Sequence, residues 1–151
     1  MPEAWRIVKA KHVATAFSGK GAADNGGRWN SRGVAVVYAS ITKSLAVLES
    51  LVHLNPPVRF KFVAFHLEFD GALVEQLALK KLPADWQTEP PPPSTKTIGD
   101  TWVREARSAV LALPSIISGE TNYLINPAHP DVKKISIGNL ELFTFDPRLL
   151  T

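Results

Sequence analysis

The run VRFKFVAFHLEFD (58–70) constrains this chain more than any other stretch. Bulky apolar and polar residues alternate along it, the period of an extended strand with one face turned to a core. Apolar positions are even at Val58, Phe60 and Phe62, then odd at Phe65, Leu67 and Phe69. That change of phase predicts a β-bulge near Val63. A half-buried strand needs neighbours, and several short segments can supply them. AWRIVKA (4–10) reads as an opening strand, VAVVYAS (34–40) and AVLALPS (109–115) as buried strands, and YLINP (123–127) as a short strand ended by proline. KKISIGNLELFTFD (133–146) reads as a closing pair turning at Gly138-Asn139.

Helical spacing is confined to three places. In ITKSLAVLESLVHLN (41–55), Leu45, Leu48, Leu51 and Val52 share a face, and Pro56 and Pro57 stop the helix. Leu73, Leu77 and Ala78 predict a short helix over 72–82, and a third is expected over 99–107. TAFSGKGAADNGG (15–27) and GETN (119–122) read as loop and bend. PADWQTEPPPPSTKT (83–97) reads as a surface loop with polyproline character, because consecutive prolines suit neither helix nor central strand. No internal repeat is visible. The expectation is one α+β domain over residues 1–151, with strands outnumbering helices.

Composition narrows the function classes. No apolar run is long enough to cross a bilayer, and MPEAWRIV lacks the apolar core of a signal peptide, so a cytoplasmic location is expected. With no cysteine there are no disulfides, thiolate chemistry or zinc–cysteine sites. The four histidines (His12, His53, His66, His129) are spread without a metal-binding spacing, so no metal is expected. A net charge of +3 and a pI near 9.3 favour a phosphate-bearing ligand mildly, but the cations are too scattered to indicate nucleic acid.

Four residues stand out. Arg28 follows two glycines in GGRWN, and its planar fork matches two phosphate oxygens; an arginine paired with a carboxylate reads the same way in sequence. Tyr38 ends a strand, either stacking on a planar ring or packing in the core. Glu49 lies at the margin of the apolar helix face, where a partly desolvated carboxylate can hold a cationic transition state; a solvated helix glutamate is the alternative. Ser115 emerges after Pro114 at a strand end, as a functional hydroxyl or a turn serine. GxSxG is absent and no histidine is spaced to serve Ser115, which argues against a Ser-His-Asp hydrolase. GKGAADNGG is neither a dinucleotide fingerprint nor a P-loop.

Taken together, SGKGAADNGGRWNSRGVAVVYAS, LAVLESLVHL, IGDTWV, LPSIISGETNYLINPAHPD and FTFDPRL, in that order over nearly the whole chain, resemble the RES domain family. The resemblance implies the ADP-ribosyltransferase fold, with mostly antiparallel mixed sheets and a few flanking helices. Arg28, Glu49 and Ser115 match the family's arginine, glutamate and serine, with Ser118 a less fitting alternative to Ser115, and Tyr38 matches a recurrent tyrosine. Arg28, Tyr38, Gly27, Trp29, Asn30 and Asn126 are the NAD contacts so implied. The resemblance further implies a toxin that cleaves the nicotinamide–ribose bond of NAD with water or phosphate, without a metal. Its expected partner is an Xre-type helix-turn-helix antitoxin, with DNA reached only through that antitoxin. Transfer of ADP-ribose to a cellular protein and a non-catalytic NAD-binding module are the other readings. Val47, two residues before Glu49, is not the second carboxylate that some protein-modifying relatives of the fold carry.

Overall fold

In a computed structural model, which describes residues 1–54 and 61–150, the chain forms one strand-rich α+β domain. β1 (Glu3–Lys9) is followed by a 3-10 turn and α1 (Lys20–Asn25), then β2 (Val37–Ser40) and α2 (Lys43–Leu51). β3 (Phe62–Glu68), β4 (Val74–Gln76), α3 (Pro93–Arg104), β5 (Val110–Pro114) and β6 (Thr121–Ile125) come next, and β7 (Ser136–Ile137) and β8 (Glu141–Phe143) close the order. The sheet runs β4-β5-β6-β2-β1-β3-β7, with β8 also on β3. Every pairing is antiparallel except β4 with β5.

The join between β1 and β2 is minimal. They share the single register pair Trp5↔Ser40, whereas β1 pairs with β3 at seven positions and β2 with β6 at four. The ladder is therefore interrupted within one continuous sheet. An interruption leaves backbone groups without ladder partners, and buried ones must be satisfied otherwise. Arg6 does this: its Nη1 donates to Tyr38 O at 2.8 Å and its Nε to Ala16 O at 2.7 Å. Desolvation lowers the Arg6 guanidinium to about 10, so it stays cationic at neutral pH.

β5 and β6 are buried on both faces. Val110, Ala112, Tyr123 and Ile125 join Phe65, Leu67 and Phe69 in one core, while Leu111, Leu113 and Leu124 join Trp29 and Trp102 in another. Double burial also explains the phase change in β3. Its register against β1 is unbroken from Glu3↔Glu68 to Lys9↔Phe62, so there is no bulge at Val63; Phe62 through Phe65 are all buried because both faces are covered. The expected strand residues 58–60 and the stop at Pro56 and Pro57 lie outside the described residues.

Several local expectations are corrected. Residues 72–82 hold no α-helix: a 3-10 turn at Gly71–Leu73, capped by Asp70, leads into β4, and a second turn covers Leu79–Lys81. Leu73 and Leu77 share no face: Leu73, in the turn, joins the core of Phe65 and Phe69, Leu77, just after β4, joins that of Trp29 and Trp102, and the pairing of Val74–Gln76 with β5 holds the segment between them extended. The glycine-rich loop contains α1. α3 starts at Pro93 rather than near Gly99, because a proline with no N–H to lose fits the first helical turn. β7 and β8 do not form a hairpin; they lie in succession along β3, at Leu67–Glu68 and at Phe62–Ala64. On α2 the buried residues are Leu45 and Ala46, with Leu48 and Val52 exposed, so the inward face is rotated toward Glu49.

Candidate functional site

The candidate site draws on a tight turn over Tyr38 of β2 and on the place where the ends of β2 and β5 meet the start of β6. Gly27 N donates to Asn30 O at 3.0 Å, placing Arg28 at the tip of the turn and Trp29 in the core. The Tyr38 hydroxyl fills the turn from below, donating to Asn30 Oδ1 at 2.6 Å and accepting from Trp29 N at 3.1 Å. A Cβ on Gly27 would stand 2.5 Å from that hydroxyl, so only glycine allows the approach. Burial raises the Tyr38 hydroxyl well above its ordinary value, opposed mainly by the Trp29 N–H, and it stays protonated.

α3 splints the turn from outside. Thr95 Oγ1 donates to Arg28 O at 2.6 Å and Lys96 Nζ to Gly27 O at 2.9 Å. Asp100 accepts from Ser31 N at 2.9 Å and Ser31 Oγ at 2.5 Å. Positions 95, 96, 99 and 100 lie on one helix face, which explains why IGDTWV accompanies GGRWN although the two are far apart in the chain.

Arg28 is held tightly. Its side chain is 11% exposed, Nη1 donates to Trp86 O at 3.0 Å and Thr88 O at 2.8 Å, and Nη2 meets the carboxylate of Glu89. Three of its five N–H groups are thus given to the segment before the prolines. Desolvation lowers the Arg28 guanidinium from its usual value while the Glu49 carboxylate works against that, so the two groups feel each other.

Glu49 projects from α2 into the same region. Thr42 caps α2 by accepting from Leu45 N at 3.1 Å. Glu49 Oε1 accepts from Ser115 Oγ at 2.6 Å and from Asn122 Nδ2 at 2.9 Å. Ser115 is 1% exposed; its oxygen accepts from Ile117 N at 3.0 Å, so its proton is directed to Glu49. Ser118 is exposed, and its hydroxyl accepts from Glu120 N.

Tyr38 thus lies under the turn that carries Arg28, Glu49 is bonded to Ser115, and the Glu49 charge acts on Arg28, while Gly27 and Trp29 shape the turn. Asn30 is fully buried, its amide donating to Ala22 O and Val34 O. Asn126, 2% exposed, accepts from Ala128 N in the turn after β6. Sequence does not single out Arg6 or Asn122: AWRIVKA reads as an ordinary strand, and GETN as a bend although Thr121 and Asn122 begin β6. Elsewhere, Glu3, His66 and Glu68 bring three potential ligand atoms within 4.8 Å of one another on β1 and β3, with both carboxylates exposed. Among the described residues no helix is long and apolar enough to cross a membrane.

The sequence matches the RES domain over residues 3–146. It is 39% identical over 153 residues to the Prs ADP-ribosylating toxin of Sphingobium sp. (strain YBL2), covering 97% of this chain and 95% of that protein. It is 36% identical over 149 residues to Toxin Res of Yersinia enterocolitica, covering 96% and 97%. The fold is similar to a chain of the M. tuberculosis MbcT–MbcA toxin–antitoxin complex, with a TM-score of 0.78 and 13% identity over 94% of this chain and 84% of that one.

Proposed function

The chain belongs to the RES domain family, and on that premise we propose that it is the toxin of a toxin–antitoxin pair whose site breaks the nicotinamide–ribose bond of NAD. The observation that carries this reading is the Ser115–Glu49 hydrogen bond of 2.6 Å, which fixes a carboxylate near the cation of Arg28. Cleavage sends the bonding electrons to the pyridinium nitrogen, so nicotinamide departs neutral and positive charge develops on the ribose. A fixed carboxylate stabilises that charge more in the transition state than in the ground state. Arg28 clamps the pyrophosphate, and Tyr38 presents its ring to nicotinamide. Gly27, Trp29, Asn30 and Asn126 keep the turn and strand end in place behind these groups.

Water or phosphate completes the reaction, giving ADP-ribose or its 1″-phosphate. A second reading, transfer of ADP-ribose to a cellular protein, is favoured by the name of the 39%-identical relative. It shares the same first step. An antitoxin partner is in keeping with the toxin–antitoxin complex among the structural neighbours, and the family resemblance makes it one of Xre helix-turn-helix type, which would silence the chain in the cytoplasm and supply any contact with DNA.

The test is chromatography with mass detection of NAD incubated with the purified chain, with and without phosphate. Release of nicotinamide supports the reading, and the other product names the acceptor. Intact NAD, with transfer of labelled ADP-ribose to a protein of a cell extract, selects the second reading. Intact NAD with no transfer defeats both and leaves a binding module.

Glu89 supplies a finer check on the clamp. Its carboxylate holds the arginine that the pyrophosphate needs, and it is 67% exposed, so it can leave. Glu89→Gln is expected to tighten NAD binding by about two- to fivefold, the span of an exposed ion pair. Arg28→Ala should weaken binding. Calorimetric affinities unchanged in both variants would remove Arg28 from the ligand site.

A further inference from the structure

Glu49 is held asymmetrically. Both of its hydrogen bonds arrive at Oε1, and Oε2 has no partner among the described residues. Asn122 makes one of these bonds from β6, and its side chain continues to Ser40 on β2, whose Oγ donates to Asn122 Oδ1 at 2.7 Å. Ser40 and Asn122 are directly opposed in the ladder, so the connection spans two paired strands.

The polarity of this chain has one consistent assignment. A carboxylate only accepts, so the amide nitrogen of Asn122 faces Glu49 and its carbonyl faces Ser40. Ser40 is 3% exposed and gives its proton to that carbonyl, which fixes the amide against a flip. Ser115 is oriented likewise by Ile117 N. Two strand-anchored donors thus grip one oxygen of a helix side chain that otherwise rotates about three torsions.

We propose that Asn122, fixed by Ser40, is the positioning residue that works with Ser115 to hold Glu49 Oε1 and so present Oε2 to the nicotinamide-side ribose. This rests on the reading of Glu49 as the group that stabilises the ribose cation. A polar residue that merely tied α2 to the sheet would affect stability and ligand affinity together. A positioning residue affects turnover selectively, because a carboxylate displaced by a fraction of an ångström still permits binding.

Asn122→Asp keeps the size and the acceptor for Ser40 but turns the donor to Glu49 into an acceptor. Nicotinamide release should fall in kcat by about 10- to 100-fold, while the Kd for carba-NAD, a non-cleavable analogue, changes by less than about threefold. A kcat within about twofold of the parent overturns the proposal, as does a loss of carba-NAD affinity equal to the loss of kcat. Should Asn122→Asp not fold, Ser40→Ala leaves Asn122 in place but unfixed. It should lower kcat alone by about three- to tenfold, and an unchanged kcat overturns the proposal.

A parent chain that cleaves no NAD would count against the proposed function rather than against this inference. Crystal structures of the parent and Asn122→Asp then decide it. A Glu49 carboxylate turned away from Ser115 in the variant supports the positioning role, and one left in place overturns it.

Discussion

Gly99→Ala is expected to lower stability by about 3 kcal/mol or more, the upper end of what overpacking costs, and Tm by about 6–12 °C for a domain of this size. Helix propensity alone predicts the reverse, since alanine is favoured over glycine inside a helix by up to about 1 kcal/mol. Sterics decide the sign. A Cβ at Gly99 would stand 1.7 Å from the carbonyl oxygen of Trp29 and 2.8 Å from its carbonyl carbon. Both are backbone atoms, so no rotamer change relieves the overlap. α3 must move outward, and Thr95 and Asp100 then lose their grip on Arg28 O and on Ser31. The turn carrying Arg28 loosens with them, so affinity for NAD should fall alongside Tm. Gly21→Ala is the internal control: it lies in α1 with nothing within 4 Å of the added Cβ, and should gain about 0.4–1 kcal/mol. Thermal unfolding followed by circular dichroism separates the two; a Gly99→Ala Tm within about 2 °C of the parent would show that the turn does not depend on this contact.

The strands legible in sequence are those whose neighbours agree with their own pattern. VAVVYAS and AVLALPS each contain the strand expected of them and AWRIVKA all but its first residue, because β-branched or bulky apolar residues sit between breakers and burial reinforces the choice; YLINP covers only the last three residues of β6, which begins at Thr121 within the expected bend. Misreadings occur where a spacing is taken for a shared face or where a face count presumes a single core. Leu73 and Leu77 have helical spacing yet enter different cores from either end of β4, and the parallel partner β5 holds the chain extended between them. The run through Val63 suggests a bulge only if one face is wet; here both faces are covered.

The candidate site is legible in a different way. Arg28, Glu49 and Ser115 were picked out by residue type and by family resemblance, and the structure draws Glu49 and Ser115 together from α2 and the end of β5. What sequence did not show is the support around them. Thr95, Asp100, Arg6, Asn122 and Ser40 act through contacts across the sheet and a helix, and no local pattern marks a strand asparagine as the partner of a helix glutamate. A surface loop is all that the proline run suggests in sequence, yet the segment before it holds Arg28, and its last member opens the helix that braces the turn.

Glu49→Gln is the substitution expected to affect turnover most. Glutamine has nearly the same shape, and its Oε1 can still accept from Ser115 and Asn122, so the side chain keeps its place and its Nε2 replaces the free oxygen. What changes, on the proposed reading, is the charge opposite the ribose. A carboxylate there becomes more favourable as the nicotinamide bond breaks and the ribose turns cationic, whereas an amide dipole offers a small part of that stabilisation. Loss of one preorganised electrostatic contact of this kind costs about 10²–10³ in kcat. Binding should be nearly unaffected, because Arg28 and Tyr38, the contacts proposed for other parts of NAD, keep their positions. The measurement is single-turnover nicotinamide release beside the Kd for carba-NAD in parent and variant. A large fall in rate at constant Kd assigns Glu49 to the transition state. Equal losses in both would make it a ground-state contact to the ribose hydroxyls, and an unchanged rate would move the chemistry away from the carboxylate altogether.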